Sequence, residues 1–219
     1  MMNADVSGLH GKRRLLAAAL LGLLTAGGGS AVADEGLTTR SGVVPMMEDG
    51  RLIGCQAPFE VVRADPEYSG GRRVRVTGLM AVIKPPGSAP GVMLRMAVGG
   101  PDDGADVDGV PPDLAALADG PANSLEERYR KDGQTQEGGD SGLFIYAMGP
   151  VTEAALRGAA SDGRFSLVYA LKPGGPLAPV TVDLTVKRRD FGGGGERAPG
   201  APQAFTECLG RLRLDNLTR

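Results

Sequence analysis

Tryptophan is absent from this sequence and histidine is nearly so. Its 219 residues include one histidine, His10, and no tryptophan. Because His10 lies in an N-terminal segment that we expect to be removed, the mature chain has no imidazole. This excludes a Ser-His-Asp triad, a Cys-His pair and every histidine-based zinc or copper site. Carboxylate chemistry is the hydrolytic route that stays open.

Cysteine and aromatic residues are also scarce. Aromatic residues make up 4% of the chain, whereas it has 35 glycines and 16 prolines, so a modest core is expected. The only cysteines are Cys55 and Cys208. An even pair of thiols becomes a disulfide in an oxidising compartment, and a bridge closing so long a loop contributes up to about 5 kcal/mol. A redox pair would sit two residues apart, and two distant thiolates alone make a poor metal site. We therefore predict a structural Cys55–Cys208 bridge.

The N-terminus has the three parts of a secretory signal peptide. Basic residues occupy 12–14, an unbroken apolar run follows at 15–24, and Ala-Val-Ala closes the segment at 31–33. The run is shorter than the ~20 residues that a membrane-spanning helix needs. We predict a cleavable signal peptide at 1–33, a mature chain with no transmembrane segment, and export to the periplasm or the extracellular space. Arg13-Arg14 leaves twin-arginine export open beside the general secretory route.

Removal of the signal changes the charge balance. Three basic residues and one acidic residue leave with it, so 21 basic and 25 acidic residues remain, a net charge of −4. Such a balance provides no basic field for nucleic acid. Nucleic acid is therefore not an expected partner. The expected partner is an envelope protein or a small ligand of unknown identity.

Alternating patterns predict strands over much of the mature chain. They cover 51–63, 72–84, 92–98 and 143–148. Two further runs, 165–171 and 180–187, flank a Gly/Pro turn and predict an antiparallel hairpin. Phe205, Cys208, Leu209 and Leu212 then follow helical spacing, with a last strand as the runner-up. The expected fold is mainly β: an antiparallel β-sandwich or half-open barrel with a short C-terminal helix and a long polar insertion.

The remaining segments define the predicted domain organisation. Residues 34–49 are interpreted as a mobile leader and 50–219 as a single β-rich domain. Within it, 99–142 is expected to be a loop insertion with short helices at 113–118 and from Ser124, where Glu127 completes a capping box. A short helix is expected at 150–158, and 188–203 is interpreted as a Gly/Pro-rich linker.

Two clusters could suggest metal ions. The acidic loop could bind calcium, but its spacing does not fit an EF-hand, so a solvated loop is favoured. Methionines could hold copper(I), but core filling is favoured because no histidine completes a site. We therefore predict no metal, no cofactor and no identifiable catalytic residue. The acidic residues are Asp102, Asp103, Asp106 and Asp108, and the methionines are Met46, Met47, Met80, Met93, Met96 and Met148.

One basic cluster could form a contact patch if its strands adjoin. Such a patch would bind an acidic partner or a carboxylated ligand, although charged strand faces are more often simply solvated. Its members are Arg72, Arg73, Arg75, Lys187, Arg188 and Arg189.

The closing pattern, a hairpin, a linker and then Phe205-Thr206-Glu207-Cys208, resembles the C-terminal part of small exported bacterial proteins of the invasion-associated locus B type. The resemblance covers about the last 50 residues. The tryptophan and the additional cysteines of that family are absent here, so no function is carried over.

These observations favour an exported, non-catalytic binding or envelope-associated protein. The absence of common catalytic residue types and the long loop on an antiparallel scaffold support this hypothesis. The alternative is a histidine-free, carboxylate-dependent hydrolase acting on envelope glycans, which would need two carboxylates about 5–10 Å apart in a cleft. A purely structural envelope component is a third possibility.

Overall fold

The structure, a computed structural model, describes residues 36–101, 109–118, 141–189 and 195–214. The predicted signal peptide, the acidic loop 102–108 and the predicted helix at Ser124 lie outside these ranges. The described residues form one large and one small antiparallel sheet with two helices. The mainly β fold and the short C-terminal helix that the sequence predicts are therefore confirmed.

The large sheet has eight strands among the described residues. Its order is β11-β10-β1-β3-β4-β5-β7, and β2 pairs with the first part of β3. In chain order the strands are β1 (Leu37–Ser41), β2 (Val44–Glu48), β3 (Arg51–Asp65), β4 (Arg72–Ile83), β5 (Gly91–Pro101), β7 (Gly142–Ala147), β10 (Val186–Arg189) and β11 (Gly195–Arg197).

The second layer combines a small sheet with two helices. The sheet has the order β6-β8-β9, with β6 at Leu114–Ala118, β8 at Arg164–Ala170 and β9 at Ala178–Asp183. The helices are α1 (Pro150–Ser161) and α2 (Ala201–Arg211). The hydrophobic core includes side chains from both sheets and both helices.

Strand β3 shows how the sequence divides the two faces of the large sheet. Cys55, Ala57, Phe59 and Val61 alternate along it and are buried. The Phe59 ring meets Phe165 of β8 edge to face, with 5.8 Å between centroids. Cys55 forms the predicted disulfide with Cys208, which fixes α2 against β3. The inner face of β3 thus joins the two layers.

The chain changes sheets between β9 and β10. The sequence predicts one strand at 180–187, but β9 ends at Asp183 and β10 begins at Val186 in the other sheet. The Asp183 carboxylate accepts hydrogen bonds from the backbone N and the hydroxyl of Thr185, which stabilises the corner. Leu184 and Val186 remain fully buried, so the apolar alternation continues through the break.

Strand β1 holds this corner from the large sheet. The Thr38 hydroxyl accepts a hydrogen bond of 2.9 Å from the Asp183 amide. The Ser41 hydroxyl lies 2.6 Å from the Val186 carbonyl oxygen and 2.9 Å from that of Asp183. Backbone pairing and these side-chain hydrogen bonds therefore order β1, which lies in the segment that the sequence predicts to be a mobile leader.

Three predictions of local structure are wrong. Most of the expected mobile leader 34–49 forms β1 and β2, because backbone pairing with β3 needs no strong apolar pattern. The short helix expected at 113–118 is strand β6, since its small side chains pack in register against β8. The expected linker 188–203 contains β11 and the start of α2. The β8–β9 hairpin and the helix at 150–158 are confirmed.

Neither described helix is long and apolar enough to cross a membrane.

Candidate functional site

An open groove of about 1160 Å³ lies beside β1, β10 and the start of α2. This volume is at or above the upper end for small-molecule sites, so the groove has room for an extended ligand. One part of its wall is apolar and is formed by Val43, Val44, Pro58, Ala198, Ala201 and Ala204. Another part of the lining is charged.

The charged wall is predominantly basic. Of the described residues that line the groove, four are cationic, Arg40, Lys187, Arg188 and Arg189, and two are carboxylates, Glu60 and Glu196. These described residues therefore carry an excess of two positive charges. Since the mature chain is expected to have an excess of acidic residues, this local charge does not follow from the composition.

Pairing between β1 and β10 brings two of these cations together. Arg40 and Arg188 are direct cross-strand partners, and both residues are exposed. Like charges placed directly opposite each other in a sheet lower its stability. On its other side Arg40 pairs with Glu60 of β3. The row of residues that runs across β10, β1 and β3 is therefore Arg188, Arg40 and Glu60, two guanidinium groups and then one carboxylate.

Both groove carboxylates are already engaged. Glu60 accepts a hydrogen bond of 2.7 Å from the Thr39 hydroxyl and lies 4.0 Å from the Arg75 guanidinium. Glu196 pairs with Lys187 at 2.6 Å, and the side chains of that pair are 59% and 60% exposed. No observation therefore favours the catalytic carboxylate pair that the hydrolase alternative requires.

The predicted basic patch is only partly assembled. Lys187, Arg188 and Arg189 line the groove, but β4, which carries the other three arginines, is separated from β10 by β1 and β3. Three strand spacings place β4 roughly 14 Å from β10. The condition that the strands adjoin is not met, so the patch does not form one contiguous cluster.

Two of the β4 arginines nevertheless share a sheet face with the groove. Register places Arg75 opposite Val62 and Arg73 opposite Ala64, on the face that also carries Glu60 and Arg40. Arg72 pairs with Asp65 and therefore belongs to the opposite face, at the exposed start of the strand. The arginines thus continue along the outer face of the sheet, away from the groove.

Sequence reasoning missed Arg40, because it falls in the segment interpreted as a leader. Its neighbours Thr38, Thr39 and Ser41 give a polar run without an apolar alternation, so no strand signal marked it. Only the pairing of β1 with β10 brings Arg40 to Arg188. The cluster of basic residues at 187–189 was the one signal that pointed to this groove.

Asp183 anchors a network of arginines behind the groove. Its Oδ2 lies 3.3 Å from Nη1 of Arg197 and 3.9 Å from Nη2 of Arg164. Burial alone would raise the pKa of Asp183, but the hydrogen bonds from Thr185 and the two guanidinium charges outweigh it and lower the pKa. The carboxylate is consequently charged at neutral pH.

A second polar cluster lies inside the protein at the far end of β3. The Tyr169 hydroxyl donates a hydrogen bond of 3.0 Å to Asp65, whose other oxygen accepts the amides of Glu67 and Tyr68. Burial, reinforced by the negative charge of Asp65, raises the pKa of the Tyr169 hydroxyl. Arg63 pairs with Glu67 at 3.1 Å. These bonds order the β3–β4 turn.

No group of histidine, cysteine or carboxylate side chains that could hold a metal ion occurs in the ranges that the structure describes. The methionines Met80 and Met96 are fully buried core residues. Comparison with protein-family models, with curated proteins and with solved structures finds no match. The proposed function therefore rests on the groove itself.

Proposed function

We propose that this chain is an exported, non-catalytic binding protein whose basic groove takes an acidic partner. The observation that carries the proposal is the pairing of Arg40 with Arg188 in a groove that has an excess of positive charge. Like charges directly opposite each other in a sheet repel, and an anion bound at both guanidinium groups would reduce that repulsion.

The apolar wall narrows the class of partner. Val43 and Val44 near the start of β2 and Ala201 and Ala204 of α2 line the groove, so an extended ligand can bury apolar groups there. Guanidinium groups bind carboxylates in a bidentate manner, which adds geometric selection to the charge. An acidic polypeptide segment with interspersed apolar side chains fits both properties.

Export of the protein to the periplasm or the extracellular space remains part of this proposal. The signal peptide pattern at 1–33 supports it, and so does the Cys55–Cys208 disulfide, because disulfides persist in oxidising compartments. Native mass spectrometry of the protein from its host envelope tests this point. We expect a mass that begins at Asp34 and lies two hydrogens below the reduced value; a full-length or reduced species would contradict it.

The groove is tested by charge reversal. We expect poly-L-glutamate to bind the wild-type protein saturably in a fluorescence anisotropy titration at low salt, and R40E/R188E to weaken binding roughly tenfold or more. A matched control is R51E/R72E, which changes the net charge equally at exposed arginines outside the groove. Thermal unfolding should show that both variants are folded.

Two results would overturn the proposal. If the wild-type protein does not bind the polyanion, the groove has no affinity for acidic chains. If both variants weaken binding equally, attraction follows net charge and not the groove.

A further inference from the structure

A small cavity of about 210 Å³ lies next to the groove, on the other side of Arg189. Three arginines line it, and each comes from a different strand: Arg164 from β8, Arg189 from β10 and Arg197 from β11. Among the described residues that line the cavity, Asp183 has the only carboxylate. Strands that are distant in sequence thus bring three guanidinium groups around one small space.

Asp183 does not neutralise this set. Its Oδ1 accepts the amide and the hydroxyl of Thr185, at 2.9 and 2.6 Å. Its Oδ2 is shared between Arg197 at 3.3 Å and Arg164 at 3.9 Å. The side chain of Arg189 makes no hydrogen bond or ion pair with the described residues. One negative charge therefore faces three positive charges, an excess of two.

The size of the cavity selects the kind of anion. A water molecule occupies about 30 Å³ of liquid, so the space accommodates a single tetrahedral group with a few waters. A chain ligand of the kind proposed for the groove would not fit. Guanidinium groups match the oxygens of phosphate and sulfate in pairs, and Thr181, which also lines the cavity, offers a hydroxyl.

We propose that the Arg164–Arg189–Arg197 cavity is a binding site for a phosphate group. The group binds between the three guanidinium groups while Asp183 holds Arg197 in place. The site does not depend on the groove proposal, because Arg164 and Arg197 do not line the groove. The phosphate can be free in solution or can be the monoester headgroup of a lipid.

The binding test uses the whole mature protein and two probes. Inorganic phosphate is titrated while the arginine Nε–Hε signals are followed by NMR, and vesicles of phosphatidylcholine with or without phosphatidic acid are tested by co-sedimentation. We expect saturable shifts at Arg164 and Arg189 with inorganic phosphate. Binding only to phosphatidic acid vesicles would assign the lipid headgroup as the source.

Two variants and one control locate the site. R164Q and R189Q should each weaken phosphate binding roughly tenfold, because each loses a charge-assisted contact. The control is R157Q on α1, whose arginine pairs with Glu153 and does not line the cavity. Arg197 is left intact because it also contacts Thr185 at 2.9 Å and supports the corner.

The outcomes separate the two proposals. R164Q should lose phosphate affinity yet bind poly-L-glutamate as the wild-type protein does, since Arg164 does not line the groove. The proposal is overturned if neither probe binds the wild-type protein saturably, or if R164Q binds phosphate as tightly as R157Q does. Either result leaves the groove proposal to its own test.

Discussion

The hydroxyl of Tyr169 donates a hydrogen bond of 3.0 Å to the carboxylate of Asp65, and both residues are fully buried. This bond crosses from the small sheet to the large one. A buried carboxylate needs donors because desolvation disfavours its charge. Asp65 has three donors, of which only Tyr169 lies on the opposite layer. The pair is therefore one of the polar connections between the two sheets, as are the bonds of Thr38 and Ser41 to Asp183.

Replacing Tyr169 by phenylalanine should destabilise the protein. The Y169F variant keeps the ring but leaves one oxygen of a buried carboxylate without its donor, at a cost of about 1–3 kcal/mol. Denaturant unfolding measures the loss. Y68F is the matched control, because Tyr68 donates to the Pro176 carbonyl at an exposed site. Equal losses in the two variants would contradict the assigned role of Asp65.

Removal of the disulfide should lower the stability strongly. Cys55 and Cys208 are 153 positions apart, and closing so long a loop contributes about 5 kcal/mol in the chain-entropy model. We expect C55A/C208A to unfold at much lower denaturant concentration and hydrogen exchange to accelerate first in α2. A small loss, with α2 as protected as in the wild-type protein, would show that packing of Phe205 and Leu209 alone holds the helix.

Gly78 of β4 marks a position where the neighbouring strands β3 and β5 leave no room for a side chain. A Cβ there would lie 2.5 Å from the Arg95 carbonyl oxygen and 2.8 Å from the Phe59 ring. G78A should therefore destabilise the protein by about 1–3 kcal/mol, as overpacking does. Gly42 is the control, because no atom lies within 4 Å of its added Cβ. The assignment fails if thermal unfolding shows G78A to be as stable as G42A.

Asp183 should make stability depend on pH in the acid range. Its pKa in the folded protein is below the ordinary 3.8, so its contribution is fully present above that value. The contribution is lost as the pH falls through the lower, folded pKa. The stability difference between the wild-type protein and D183N should thus be constant near neutral pH and shrink below pH 3.8.

Thr185 offers a second test of this linkage. T185V removes the side-chain hydrogen bond, which is the largest of the effects that lower the pKa of Asp183. The acid loss of stability should then be smaller and should end at a higher pH than in the wild-type protein, because the folded pKa moves toward the unfolded value. Unfolding free energies from pH 2 to pH 7 would show the displacement. An unchanged profile would mean that the bond does not set the charge of Asp183.

Local alternation was sufficient to predict most strands of the fold. The buried residues of β9, and those of β3 from Cys55 to Val61, repeat every second position, and backbone geometry turns that period directly into two faces. The disulfide was predictable because Cys55 and Cys208 were the only thiols. The C-terminal helix followed from the spacing of Phe205, Cys208 and Leu209.

Patterns without a large apolar component could not be assigned in this way. β1 is held by pairing and by the hydroxyls of Thr38 and Ser41, which a polar sequence does not reveal. In β6 the run Leu114–Ala118 has small side chains that suit a helix equally well. Backbone pairing with β8 makes this run a strand.

The sequence by itself determined the mainly β class of the fold, its C-terminal helix and the covalent link, because each depends on residue type or on local period. Only the tertiary structure decided which charges meet. Arg40 reaches Arg188, and Arg164 reaches Arg197, through pairings between segments far apart in the chain. It also separated Arg73 and Arg75 from Lys187, Arg188 and Arg189, because β1 and β3 lie between β4 and β10. The strand order of a sheet is a long-range property that no local pattern encodes.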